Sequence, residues 1–482
     1  MNYKTGGIVI MNLDIYNTHM ELYPYKKDDY PIIEDMYTAT DKFTGNDFPC
    51  GYMIEDGKLF LPRGTPISKI EMITETKANF IKDSDPSSEM KRQHYSLYDP
   101  RNKIQEESIE FLTSEGKQLA LNLKTGLGKT FCVAYSSTKL KLKTLIITPN
   151  EGLKQQWIST YHKMFDYRPS ELMNIAGSNI INAIMEDMVE PAEVYFVNHQ
   201  TLRSYLTSNN GYMLHKFFKK LNIGIKVYDE SHMEFANILL IDFFSNTDRT
   251  WYLTATFDRS DKTESRCFKT AFNSVSGYGE TQSAEVINKH IIYHVVNINS
   301  RISPKDRAKV IGYQGMSSIS YGKYAFLTDE NDTAYKTILN ILNKLDNIEG
   351  KILIFIPLIE AVDEVVKKLK KDYPNKTVGA FHSKLSKEDK ESSEKKDIIV
   401  STIKSTGTGK DIAGLRAVIC AEPIASKVVT EQMIGRLRPY AKDKDTFFFD
   451  IVDICIPACN WWWKARIKKI ETLVKKVIHL NL

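Results

Sequence analysis

The sequence predicts an α/β chain, with two doubly wound parallel-sheet lobes and a small N-terminal α+β domain ahead of them. Three observations predict it. From about residue 100, short apolar runs rich in β-branched residues alternate with segments of helical periodicity. The alternation restarts near residue 285, so a second sheet is expected. The first 95 residues differ in composition, being rich in Tyr, Asp and Pro with short strand-like runs. A length of 482 residues agrees, since one core ordinarily organises ~100–200. The expected domains are 1–95, 96–284 and 285–482.

Taken in order, Lys58 to Leu61 reads as a strand before the turn Pro62-Arg63-Gly64, and the polar stretch Lys82 to Ser88 as a linker. Ile104 to Leu112 has helical spacing, and Leu119 to Leu123 is a strand entering a glycine-rich turn. Thr144–Thr148, Val194–Val197, Ile223–Tyr228 and Thr250–Thr254 complete the strands of the first lobe. In the second, the strands are Ile352–Ile356, Thr377–Phe381, Asp397–Ser401, Ala417–Cys420 and Phe447–Asp450. Val362, Val365, Val366 and Leu369 share one face of a helix over Ile359–Leu369. Strands this apolar, separated by helices, belong in parallel sheets covered on both faces.

Apolar content of 42% and charged content of 26% are ordinary for a globular protein. A net charge of +5 permits a local basic groove without demonstrating one. Of six scattered cysteines only Cys455 and Cys459 are close, and no second pair completes a zinc site, so reduced buried thiols are expected. No run approaches the ~18 apolar residues of a membrane span. The apolar stretch Ile8 to Leu13 lacks the flanks of a secretory signal, so a cytoplasmic protein is expected.

Gly126-Leu127-Gly128-Lys129-Thr130 lies after a predicted strand and before a helix, the setting of a phosphate-binding loop. Backbone N–H groups of Thr125 to Gly128 would wrap phosphate oxygens, aided by the positive end of the helix. Lys129 would reach the β- and γ-phosphates of ATP, and Thr130 would ligate Mg²⁺. About a hundred residues on, Val227-Tyr228 delivers Asp229 and Glu230 to the carboxyl end of a strand, where doubly wound sheets carry their chemistry. Asp229 is expected to hold Mg²⁺, and Glu230 to orient and deprotonate water.

Further motifs give this pair a family. Asp229-Glu-Ser-His232 resembles a DEAH-type motif II and Thr254-Ala-Thr256 a motif III of superfamily 2 helicases. Thr148-Pro-Asn150 with Trp157 resembles motif Ia. Ser401 through Gly407, Gly409 and Asp411 resembles motif V, and Gln432-Met-Ile-Gly-Arg436-Leu-Arg438-Pro439 resembles motif VI. Within the superfamily the group containing XPB and the phage UvsW-type helicases is the most similar, through Ser426–Gln432, Asp450–Asp453 and Leu61-Pro-Arg-Gly64. The resemblance implies two RecA-like lobes and a nucleic-acid-stimulated ATPase. It places the adenine against Gln105, with Ile104 standing where a tyrosine is usual. It makes Arg436 the arginine finger, Arg438 a second arginine one residue early, Gln432 and His232 couplers, and Thr254 and Thr256 a link to the strand path. Gly409 and Asp411 would face the nucleotide.

The same resemblance implies a strand held mostly by its phosphates, with Pro149, Asn150 and Thr201 as candidates in the first lobe and His382, Thr402 and Lys404 in the second. Trp461-Trp-Trp463 with Lys464, Arg466, Lys468 and Lys469 has two readings. One is an amphipathic helix with Ile467, Ile470, Val474 and Ile478 inward; the other is a base-stacking, phosphate-binding face. The expected protein is a monomeric helicase or translocase acting on single-stranded, duplex or branched DNA, in recombination or repair. An RNA-directed or transcription-coupled helicase, or a P-loop switch acting on a protein partner, are the alternatives.

Overall fold

The computed structural model describes residues 11–41, 44–81, 89–124, 126–232, 235–254, 262–279, 288–311, 316–328, 331–407, 412–440 and 444–481. Thr125, the linker 82–88, Thr256, Gly409 and Asp411 lie outside the described residues. The chain divides into two units, Met1–Ser283 and Ala284–Leu482.

The first unit opens with β1 (Asn12–Ile15), β2 (His19–Tyr23), β3 (Thr38–Thr40), β4 (Asp47–Pro49), β5 (Met53–Glu55), β6 (Lys58–Pro62) and β7 (Ala78–Phe80). Five of these form a sheet in the order β5-β6-β2-β1-β7, while β3 and β4 pair separately. A seven-stranded sheet follows, made of β8 (Gln118–Asn122), β9 (Thr144–Thr148), β10 (Leu172–Ile175), β11 (Val194–Asn198), β12 (Ile225–Tyr228), β13 (Arg249–Thr254) and β14 (Ser276–Tyr278). Its order is β10-β11-β9-β12-β13-β8-β14 and every pairing is parallel.

Successive side chains on these strands sort into two cores. Leu145, Ile147, Tyr195, Val197, Tyr228 and Tyr252 face one side, in a core shared with the N-terminal strands. Ile146, Val194, Phe196, Val227, Trp251 and Leu253 face the other, against the helices Lys103–Thr113, Lys129–Leu140 and Glu151–Met164. A strand buried on both faces needs apolar residues at every position, which is why these runs do not alternate.

The second unit repeats the plan with β15 (Asn288–Ile298), β16 (Lys351–Phe355), β17 (Val378–Phe381), β18 (Ile398–Ser401), β19 (Leu415–Cys420), β20 (Thr446–Asp453) and β21 (Val474–Asn481). Its order is β17-β18-β16-β19-β20-β15-β21, again all parallel. The C-terminus corrects the sequence reading. The helix Pro457–Glu471 stops there, and Val474 and Ile478 lie on the edge strand β21 rather than on a helical face. Among the described residues no helix is long and apolar enough to cross a membrane.

Candidate nucleotide site and nucleic-acid surfaces

β8 hands the chain to a tight loop and then to the helix starting at Lys129. Gly126 and Gly128 hold φ of 95° and 92°, left-handed values that suit glycine. Gly128 caps the helix without a side-chain cap hydrogen bond, a helix start that suits an anion. Lys129 Nζ donates to Leu123 O at 2.8 Å, folding the ammonium across the loop. Thr130, on the same first turn, is half-buried.

Gln105 is fully buried beneath this loop. Its Oε1 accepts from Arg101 N at 2.9 Å and its Nε2 donates to Leu127 O at 3.1 Å. A Cβ on Gly128 would sit 2.3 Å from that Nε2. In this arrangement Gln105 braces the loop, a contact that its place in the motif did not announce.

The carboxylates follow β12. Asp229 N donates to Ile147 O and Ser231 N to Leu253 O, so the chain past Tyr228 stays tied to β9 and β13. Asp229 is buried, with Oδ2 accepting from Trp157 Nε1 at 2.8 Å and Oδ1 from Glu230 N at 3.0 Å. Burial, then the charge of Glu230, push the Asp229 carboxyl up to about 6, against the indole bond and the positive charge of Lys129. Lys129 and Asp229, a hundred residues apart in sequence, thus share one electrostatic site. Glu230 adopts φ 49°, and its buried Oε2 accepts no hydrogen bond from the described residues and lies 3.4 Å from His232 Nδ1. The same His232 nitrogen is 2.9 Å from Thr254 Oγ1, joining motif II to the end of β13.

Behind the carboxylates lies a buried network that the sequence did not disclose. Lys226 pairs with Asp242 at 2.5 Å, and the hydroxyls of Tyr228 and Tyr252 donate to the two Asp242 oxygens at 2.7 and 2.8 Å. Lys226 and Tyr228 both come from β12, so the strand carrying Asp229 is fastened from its opposite face. His199 stacks on Tyr228 with ring centroids 5.7 Å apart; burial holds its imidazole down to about 3.

The proposed strand contacts are unevenly presented. Asn150 caps the helix Glu151–Met164, accepting from Leu153 N at 3.0 Å, while Pro149 and Thr201 are half-buried. In the second unit His382 is buried with Nε2 3.0 Å from Asp363 Oδ1, so its imidazole is not a surface group. Thr402 is buried against Ser405 Oγ at 2.8 Å, and Lys404 is exposed. Gln432 and Arg436 are buried at the end of the helix Lys427–Ile434. Arg436 and Arg438 together line a cavity of about 190 Å³ with Ile412, Gly414, Leu415 and Tyr440.

A P-loop, an acidic strand end and two doubly wound lobes define a nucleoside-triphosphatase of RecA-like architecture. Residues 102–263 match the DEAD/DEAH box helicase family and residues 333–438 the helicase conserved C-terminal domain. The chain belongs to the superfamily 2 helicases and is an ATP-hydrolysing, nucleic-acid-directed enzyme of that class. Putative helicase 161L of Invertebrate iridescent virus 6 is 25% identical over 375 residues, covering 74% of this chain and 77% of that protein. Transcript termination protein A18 of Yaba monkey tumor virus is 23% identical over 358 residues, covering 68% of this chain and 66% of that protein. The structure of S. cerevisiae Dbp5 bound to RNA and ADP BeF3 matches with a TM-score of 0.55 at 15% identity, covering 79% of this chain and 89% of that one.

Proposed function

We propose that the chain is a DNA translocase that remodels or unwinds duplex or branched DNA, with the site residues in the following roles. The observation that carries the chemical part is the junction of Lys129, Asp229 and Glu230 at the carboxyl ends of β8 and β12. The helix start without a side-chain cap and the buried Glu230 Oε2, which no donor among the described residues meets, fit a triphosphate and a polarised water. ATP supplies the scissile phosphoanhydride. Backbone N–H groups from Thr125 to Thr130 hold its phosphates and Lys129 neutralises them. A Mg²⁺ would take Thr130 and Asp229 as protein ligands, with phosphate and water oxygens filling the rest. Glu230 orients the attacking water and accepts its proton, which His232 is placed to sense. Arg436 and Arg438 supply positive charge in phosphoryl transfer, Gln432 couples them to the nucleotide, and Gly409 and Asp411 belong to the same set.

Pro149, Asn150, Thr201, Thr402 and Lys404, with His382 through its backbone, form the proposed strand path. The motif VI neighbourhood and the N-terminal domain of about residues 1–95 support a place in the XPB and UvsW-like group, hence DNA. The viral relatives support a protein of the host cytoplasm, and it is read as acting as a monomer on any sequence. A transcription-coupled or RNA-directed helicase is the second reading, favoured by the name of the A18 relative and by the RNA in the Dbp5 structure.

The test is steady-state ATP hydrolysis alone and with single-stranded DNA, branched DNA or RNA, beside Glu230→Gln. Strong stimulation by branched DNA, abolished in the variant, is the expected result. Preferential stimulation by RNA would move the protein to the second reading. Indifference to every nucleic acid would overturn both in favour of a protein-directed switch.

A further inference from the structure

The helix Pro457–Glu471 divides its aromatic and basic residues between two faces. Arg466 points inward and is buried, its guanidinium donating to Asp450 Oδ2 at 3.0 Å and to Thr430 Oγ1 at 2.9 Å. Trp463 packs edge-on against His479 with ring centroids 5.6 Å apart, and its indole nitrogen is buried. Outward, at spacings of three and four, stand Trp461, Lys464 and Lys468, all exposed, with the stripe ending at Glu471. Trp461 is 75% exposed, above every other large apolar side chain among the described residues. Neither lysine has an acidic partner among the described residues.

A lone exposed apolar residue is ordinary. An indole followed along one stripe by two unpaired ammonium groups is a more specific pattern. Its ring offers a flat stacking surface, and its cations lie one and two turns further along, over a length of about 10 Å. Stacking tolerates any base, and ammonium groups meet any phosphate, so the stripe matches an unpaired nucleic-acid strand rather than a peptide or a lipid surface. The inward residues hold it rigid. Arg466 and Ile470 anchor the helix to β20 and the core, so that the strand would meet a preformed surface.

We propose that Trp461, Lys464 and Lys468 form a single-stranded nucleic-acid contact of the second unit, apart from the motif-borne strand path. It rests on the reading of the chain as a nucleic-acid motor. The test is fluorescence anisotropy of the full chain with labelled oligothymidylate and oligouridylate, at several salt concentrations. Trp461→Ala should weaken binding by roughly 5- to 100-fold, the range for loss of one stacked base, and Trp461→Phe should restore most of it. The pair Lys464→Ala and Lys468→Ala should lower the slope of log affinity on log salt by about 1.4. Unstimulated ATP hydrolysis and thermal stability should match the wild type, because all three side chains are exposed. Trp461→Ala affinity within twofold of wild type on both oligomers would overturn the proposal while leaving the motor intact. Failure of the wild type to bind either oligomer would overturn the motor reading and this one with it.

Discussion

Trp157 Nε1 donates to Asp229 Oδ2 across 2.8 Å, and both groups are buried. The bond ties the helix after β9 to the carboxylate after β12, and it opposes the upward pressure of burial on the Asp229 carboxyl. A hydrogen bond to a buried charged acceptor contributes about 1.5–3 kcal/mol. Trp157→Phe keeps an aromatic ring, smaller than the indole, and removes the donor. Its kcat should fall roughly 10- to 100-fold, with a higher Mg²⁺ requirement, as read from hydrolysis over a Mg²⁺ series. An unchanged kcat and Mg²⁺ dependence would reduce the bond to a packing detail.

Gly128 is constrained twice, by φ of 92° and by Gln105 Nε2 at 2.3 Å from any added Cβ. The left-handed conformation alone costs a non-glycine residue about 1–2 kcal/mol, and the contact would displace Gln105 from Leu127 O. Gly128→Ala should remain folded and lose at least about tenfold in ATP affinity by titration calorimetry, since the loop would have to open. Wild-type affinity would show that the loop tolerates the change.

The Lys226–Asp242 pair is wholly buried behind the strand that carries Asp229. Removing one partner of such a pair typically costs about 3–5 kcal/mol, because the other charge is left unpaired. Asp242→Asn should therefore lower the melting temperature of the first unit sharply. Adding Lys226→Met should recover part of the loss, which calorimetry of the single and double variants will measure. Equal melting of wild type and Asp242→Asn would mean Lys226 is held neutral.

Glu422 follows β19, and burial pushes its carboxyl up to about 7 against Ser318 and the charge of Lys404. A carboxyl whose folded value is raised keeps its proton while the unfolded chain releases it. Its contribution is then fully present below about 4.5 and is lost as pH rises toward 7. Glu422→Gln should melt like the wild type near pH 5 and a few degrees higher near pH 8. Parallel melting profiles across that range would show that the carboxyl titrates normally.

Both lobes were legible because each core strand is a short apolar β-branched run, and such runs report burial on two faces whatever surrounds them. Thr144–Thr148 matches β9 residue for residue. β15 and β21 are not legible in this way. β21 reads as well by helical spacing as by strand spacing, and its place at the edge beside β15 depends on partners far away in sequence. The places of the glycine loop before Lys129 and of the adjacent carboxylates after β12 were legible too, since the motif puts them at strand ends.

Long-range pairing settled the rest. Nothing in the spacing shows that Gln105 braces Leu127, that Trp157 holds Asp229, or that Lys226, Tyr228 and Tyr252 converge on Asp242. Nor does the row of tryptophans and basic residues reveal that Arg466 turns inward to Asp450 while Trp461 turns out. The sequence by itself determined the two parallel sheets and the residue types at the candidate nucleotide site, because periodicity and motif spacing act locally. The tertiary structure alone decided which side chains are buried partners and which face solvent, because burial and hydrogen bonding are properties of pairs brought together from separate elements.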